Sequence, residues 1–168
     1  KFTALRLLVA LSYKEQFRKP IIEMLKTLLT SKRAKLKMEA IQSLGLLHEK
    51  SVCKELISFL ATDKNLVKLR AIQALGDLKC MRAVPFLVKN LGSDSQDLWH
   101  FSFNALKKIV GNDLEELLLN RLERLEQKKP GSEKVLPLKK GIIKCLGEIG
   151  NKSHRKSLLK LLNSEFMS

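Results

Sequence analysis

The sequence predicts an all-α protein, a solenoid of about five antiparallel helix pairs, and three observations carry that prediction. A helical motif recurs at a fixed interval: "LKMEAIQSLGLL" (36–47) lies over "VKLRAIQALGDL" (67–78) at an offset of 31 residues. Within each copy, apolar residues return every three or four positions, the period of a helix with one buried face. Only eight glycines and four prolines interrupt the 168 residues, so helices have room nearly everywhere. A unit this short cannot close its own core and must stack on its neighbours.

The first copy (1–31) is a divergent pair, "LLVALS" (7–12) and "IIEMLKTLL" (21–29). In the second and third copies (32–63 and 64–94) the same offset carries "VCKELISFL" (52–60) onto "AVPFLVKNL" (83–91). First helix, turn and second helix therefore repeat together. In the third copy Leu69, Ile72 and Leu75 share one face of the first helix; Val84, Leu87, Val88 and Leu91 share one face of the second. A further 31 residues place the fourth copy (95–125), with Phe103 on Ile72, Ala105 on Ala74, Leu106 on Leu75, and Leu118 and Leu122 on Leu87 and Leu91. The fifth copy (135–168), opened by "LKKGIIKCLGEI" (138–149), comes at an offset of 40, because "EQKKPGSEK" (126–134) is inserted as a loop. All five copies form one domain, 1–168. Asp63 and Asp94 sit where an N-cap would open the next copy. Gly45, Gly76 and Gly147 fall near the ends of first helices, where a chain reversal tolerates or favours the lack of a Cβ.

The stretch "LVKLRAIQALGDLKCMRAVPFLVKNLGSD" (66–94) is similar to a HEAT repeat of the short, phycobilisome-lyase-like subclass. The similarity is strongest over 32–94, extends over 95–125 and 135–163, and fades over 1–31. It implies a right-handed, armadillo/HEAT-like superhelix with second helices on the concave face. It also implies a basic residue, following Val or Leu, that bonds to turn acids and knits adjacent copies. That slot holds Lys37, Lys68, Trp99 and Lys139, after Leu36, Val67, Leu98 and Leu138, so copy four departs from the pattern.

The departure lies in "DLWHFSFNALKKIVGND" (97–113). Phe103 takes the slot of Ile41, Ile72 and Ile143 and is expected in the core. His100 shares a row with Met38 and Leu69 and is expected half-buried, with a structural role. Trp99 replaces a lysine and Phe101 replaces Glu39 and Arg70, so both are expected to be at least partly exposed near the seam of copies three and four. Trp99 is read as sealing that seam; a partner contact is the alternative.

Net charge is +15, unevenly spread: copy four carries −1 and copy five +5. Two basic patches stand out, Lys32, Arg33, Lys35 and Lys37 in one, and Lys139, Lys140, Lys144, Lys152, Arg155, Lys156 and Lys160 in the other. A nucleic-acid groove wants a basic stripe along one face. The second-helix rows instead read Thr27, Ser58, Lys89, Asn120, Lys160 and Met24, Glu55, Phe86, Leu117, Ser157, which is mixed and partly apolar. Solvated lysine, an acidic protein partner and nucleic acid stay open as readings of the charge. The candidate partner-binding residues are Phe86, Lys89, Leu117, Arg121 and Lys160, with Trp99 and Phe101.

No catalytic, cofactor or metal site is expected. HEAT-like deoxyhypusine hydroxylases need repeated His-Glu pairs for two irons; this chain has one, His48-Glu49, and three histidines in all. HEAT-like DNA glycosylases need a concave carboxylate among aromatics, and Glu55 with Glu116 beside it shows no such pairing. Phycobilin lyases share only scaffold residues with it. Neither a phosphate loop nor a nucleophile elbow is present. The expected function is a non-enzymatic scaffold for protein–protein interaction, with a nucleic-acid-binding solenoid as the alternative. Cys53, Cys80 and Cys145, odd in number and scattered, read as small buried residues in a reducing, cytoplasmic or nuclear compartment. No apolar run nears the roughly 18 residues a bilayer needs. The opening "KFTALRLLVALSYKE" has neither initiator Met nor signal-peptide character, and is read as the start of a monomeric fragment.

Overall fold

The repeating motif sets which residues go inside. Ala40, Ile41, Leu44 and Leu47 are buried in one copy, and so are Ala71, Ile72, Leu75 and Leu78, their counterparts 31 positions on. Ser102, Phe103, Leu106 and Ile109 fill the same slots in the next. The computed structural model describes residue 7 and residues 9–62, 65–128, 133 and 135–150. Eight helices have both ends among the described residues: α1 (Glu15–Leu29), α2 (Ala34–Leu46), α3 (Cys53–Ser58), α4 (Asn65–Asp77), α5 (Val84–Asn90), α6 (Gln96–Val110), α7 (Leu114–Lys128) and α8 (Leu136–Ile149). Short 3-10 turns lead into α3, α5 and α7, and no strand occurs among the described residues.

The architecture is an all-α solenoid. First helices α2, α4 and α6 lie side by side in sequence, while α1, α3 and α5 each pack against the first helix that follows. One continuous apolar core runs through them from Ile21 to Leu146. Between copies the polar links are few. Arg18 Nη2 donates to the Leu47 carbonyl at 2.9 Å, satisfying an acceptor at the end of α2. Lys108 Nζ meets Asp77 Oδ1 at 2.6 Å across the α4–α6 seam.

Glycine's role differs from the one its position suggests. Gly45 and Gly76 lie inside α2 and α4, before the chain reverses. What they permit is close approach: a Cβ on Gly76 would stand 2.9 Å from Ala105 Cα, and one on Gly45 3.3 Å from Ala74 Cβ. Gly147 has nothing within 4 Å. The reversals themselves fall on His48 and Lys79, whose φ angles of 52° and 51° are left-handed. In both, the next N–H reaches back five residues (Glu49 to Leu44, Cys80 to Leu75) and the left-handed residue's own N–H reaches back three. This is a Schellman ending with a non-glycine in its special position. The corresponding slot of α8 holds Gly150, at φ 72°. Lys79→Gly is therefore expected to stabilise the fold by roughly 0.5–1 kcal/mol, read as a higher urea midpoint at constant slope.

Three local expectations change. The N-cap of α6 is Ser95, whose Oγ accepts from Leu98 N–H at 3.4 Å, and not Asp94; Asp63 lies outside the described residues. Leu69 is only half-buried, at the edge of its face. Helix α7 continues through Lys128, so the segment set out as an inserted loop begins as helix. "ERLEQKK" is made of helix formers, and the first breaker after it is Pro130.

The cysteines also differ from expectation. Cys53, at the start of α3, is disulfide-bonded to Cys80, in the turn after α4, with Cα atoms 6.2 Å apart. Twenty-seven residues separate them in sequence, and the stacking of copy three on copy two brings them together. Cys145 alone remains a free, buried thiol.

Candidate functional site

The second helices carry an open groove between α5 and α7. In α7, Leu114, Leu118, Leu122 and Leu125 are buried, a helical stripe that leaves Glu116, Asn120, Arg121 and Arg124 exposed and Leu117 half-buried at its edge. In α5, Leu87 is fully buried, and Val84 and Val88 fill the edge of the core nearest the groove. The groove has a volume of about 640 Å³. Its apolar lining comes from Met81, Val84, Pro85, Val88, Val110 and Leu117, and its polar lining from Asp113, Glu116, Asn120, Arg121 and Arg124.

Of the candidate partner residues, the structure brings Leu117 and Arg121 together here. Phe86, 48% exposed, and Lys89, also exposed, share α5 with the groove but lie outside its lining. Lys160 lies outside the described residues. Sequence reasoning missed Met81, Asp113 and Arg124. Arg124 stands one helical turn beyond Asn120 and could have been found by following that face further along the helix. Met81 and Asp113 belong to turns, where periodicity carries no signal. Glu116 lines the groove, but no aromatic side chain does, and Glu55 sits exposed on α3. No cluster of metal-ligating side chains occurs among the described residues.

Trp99 is the largest correction. Its slot predicts at least partial exposure, near the seam of copies three and four; it is 6% exposed. Its Nε1 donates to the Gly141 carbonyl at 3.2 Å, its ring centroid lies 5.4 Å from that of Phe103, and Lys144 Nζ stands 3.8 Å from its centroid. The seam it closes is the one with α8. Two glycines make that docking possible. A Cβ on Gly141 would overlap the Leu91 carbonyl, and one on Gly92 would stand 3.0 Å from the backbone of Leu138. The row of close first-helix contacts ends in copy four, where Lys107 occupies the slot of Gly45 and Gly76; it is exposed, with Nζ 4.9 Å from the Phe103 ring centroid. Helix α8 instead rests on α7 and on the end of α5. Phe101 is partly exposed, as expected, whereas His100, expected half-buried, is exposed at the outer edge of its row.

The basic patches are not uniform. Lys32, Arg33, Lys35, Lys140 and Lys144 are exposed. Lys37 is half-buried, its Nζ 5.0 Å from the Phe59 ring centroid. Lys139, expected as surface charge, is 2% exposed and pairs with Glu126 at 2.6 Å. The ion pair follows from the helical extension of α7, which carries Glu126 to the spot where α8 presents Lys139. Arg155 and Lys156, with Lys152 and Lys160, lie outside the described residues.

Two residues further along α8 from Ile143, Cys145 is fully buried, and that burial pushes its thiol from an ordinary 9.0 up to about 12. The neutral form is the one the fold favours. Its contribution to stability is complete below pH 9 and is lost as pH rises towards 12. The thiol is expected to resist iodoacetamide at pH 8 in the folded chain and to react on unfolding, measured by mass spectrometry.

Among the described residues no helix is long and apolar enough to cross a membrane. Compared with known proteins, residues 22–107 match the family of HEAT repeats. No curated protein matches the chain.

Proposed function

This chain belongs to the HEAT-repeat family, and from that premise we propose that it acts without catalysis, as a scaffold whose second-helix groove receives a protein partner. The observation that carries the reading is the groove between α5 and α7: an apolar floor bordered by charges of both signs, with Met81 of its lining 61% exposed and Phe86, outside the lining on α5, 48% exposed. Large exposed apolar side chains cost solubility and are enriched where proteins meet. A lysine stripe suited to a phosphate backbone is not what the described second helices present. Lys89 is the single basic residue of α5, and α7 sets Arg121 and Arg124 against Asp113 and Glu116.

A cytoplasmic or nuclear location belongs to the same proposal. Cysteine usage lends it no support once Cys53 is bonded to Cys80, because such pairs persist in oxidising compartments.

The test is affinity capture followed by mass spectrometry, comparing the wild-type chain with the double variant Phe86→Ala, Leu117→Ala. Partners lost selectively from the variant support the groove; identical partner lists would remove this face from consideration. Neither side chain is fully buried, so both forms are expected to fold.

A further inference from the structure

The groove is polar along its length. Asp113 and Glu116 border it where α7 begins, and Arg121 and Arg124 border it further along. Eight residues of helix separate Glu116 from Arg124, about 12 Å of rise. Between these ends the lining is apolar, with Pro85 and the edges of Val84 and Val88 from α5 facing Leu117 from α7. Among the described residues none of the four charged groups takes part in an ion pair. The helix dipole favours acids at the start of α7, yet it gives no reason for an arginine at position 121, in the middle of the helix. Opposite charges left unpaired at the two ends of an apolar trough are complementary to a ligand with the reverse arrangement.

We propose that the occupant is an amphipathic helix of a partner protein, lying antiparallel to α7. This rests on the scaffold reading and names the kind of partner. Its apolar stripe covers Pro85, Leu117 and the edges of Val84 and Val88, its acidic N-terminal half lies beside Arg121 and Arg124, and its basic C-terminal half lies beside Asp113 and Glu116. Two arguments select a helix in that direction. The described residues offer no sheet edge on which an extended peptide could complete its hydrogen bonds, whereas a helix satisfies its own backbone. A helix is itself most stable with acids in its first turn and bases in its last, and only the antiparallel direction lets such a helix match the groove.

The probes are two fluorescein-labelled peptides of about 15 residues, long enough for marginal helicity. Both carry leucines on one face at helical spacing. One has glutamates in its first turn and lysines in its last; the other has the same composition with those charges exchanged. By fluorescence anisotropy the first is expected to bind about tenfold more tightly at low salt, with the preference shrinking as salt screens it. In the variant Arg121→Glu, Arg124→Glu both ends of the groove are acidic, so the preference is expected to vanish, while the circular dichroism spectrum stays unchanged because both residues are exposed. Equal binding of the two peptides, or a preference the variant leaves intact, would overturn the proposal. So would loss, in that variant, of affinity for a DNA oligonucleotide with no peptide preference in the wild type. If the Phe86→Ala, Leu117→Ala variant loses partners while the peptides are not distinguished, the helix inference fails and the scaffold reading survives. If neither experiment shows an effect, both fall.

Discussion

Trp99→Ala is expected to lower the unfolding free energy by about 4 kcal/mol, within the range for truncating a buried tryptophan. The indole is covered by Phe103 beneath and by α8 above, and its N–H is held by the Gly141 carbonyl. Truncation removes apolar contact on both sides of the seam and leaves a cavity that Gly141, lacking a side chain, cannot fill. Trp99→Phe retains the ring and loses the donor, and should cost about 1–2 kcal/mol, the value of an unmade buried hydrogen bond plus a smaller ring. Because Trp99 is the only tryptophan, the measurement is urea unfolding followed by far-ultraviolet circular dichroism. A loss below about 1 kcal/mol for the alanine variant, typical of a surface substitution, would show that α8 does not cover the indole.

Reduction of the Cys53–Cys80 bond is expected to cost about 3.5 kcal/mol, the loop-closure entropy for a 27-residue separation. The bond ties the start of α3 to the turn after α4, so the constraint it removes from the unfolded chain spans the whole of α4. Urea unfolding with and without reductant measures the difference, and the variant Cys53→Ala, Cys80→Ala should be insensitive to reductant. A thiol titration of the unfolded, unreduced chain should find one free thiol, Cys145. Three would show that the bond does not form.

Much of the fold was legible because a helix writes its buried face into its own sequence. "AIQxLGxL" places Ile41 and Ile72 in the core, and the offset of 31 carries that assignment to Phe103, which is 3% exposed. The groove was half legible: rows of second-helix residues included Leu117 and Arg121, and missed what the turns contribute at Met81 and Asp113. Lys139 and Trp99 were misjudged for a shared reason. Both occupy a slot that points off the edge of its own helix, where burial depends on what a neighbouring helix does. For Lys37 the neighbour offers the Phe59 ring; for Lys139 it offers Glu126, and for Trp99 the backbone of Gly141.

Gly141 shows where local inference stops. Nothing near it in sequence distinguishes it from any glycine early in a helix, yet its missing Cβ is what lets α8 lie against the Leu91 carbonyl. Fifty residues separate the two. By itself the sequence determined the helices, their period and their inward faces, since these depend on interactions three or four residues apart. Only the tertiary structure decided which outward faces are covered, by Trp99, Lys139 and the Cys53–Cys80 pair, and which stay open between α5 and α7. Coverage depends on how whole helices pack across a 40-residue offset, and a local periodic signal has no access to that distance.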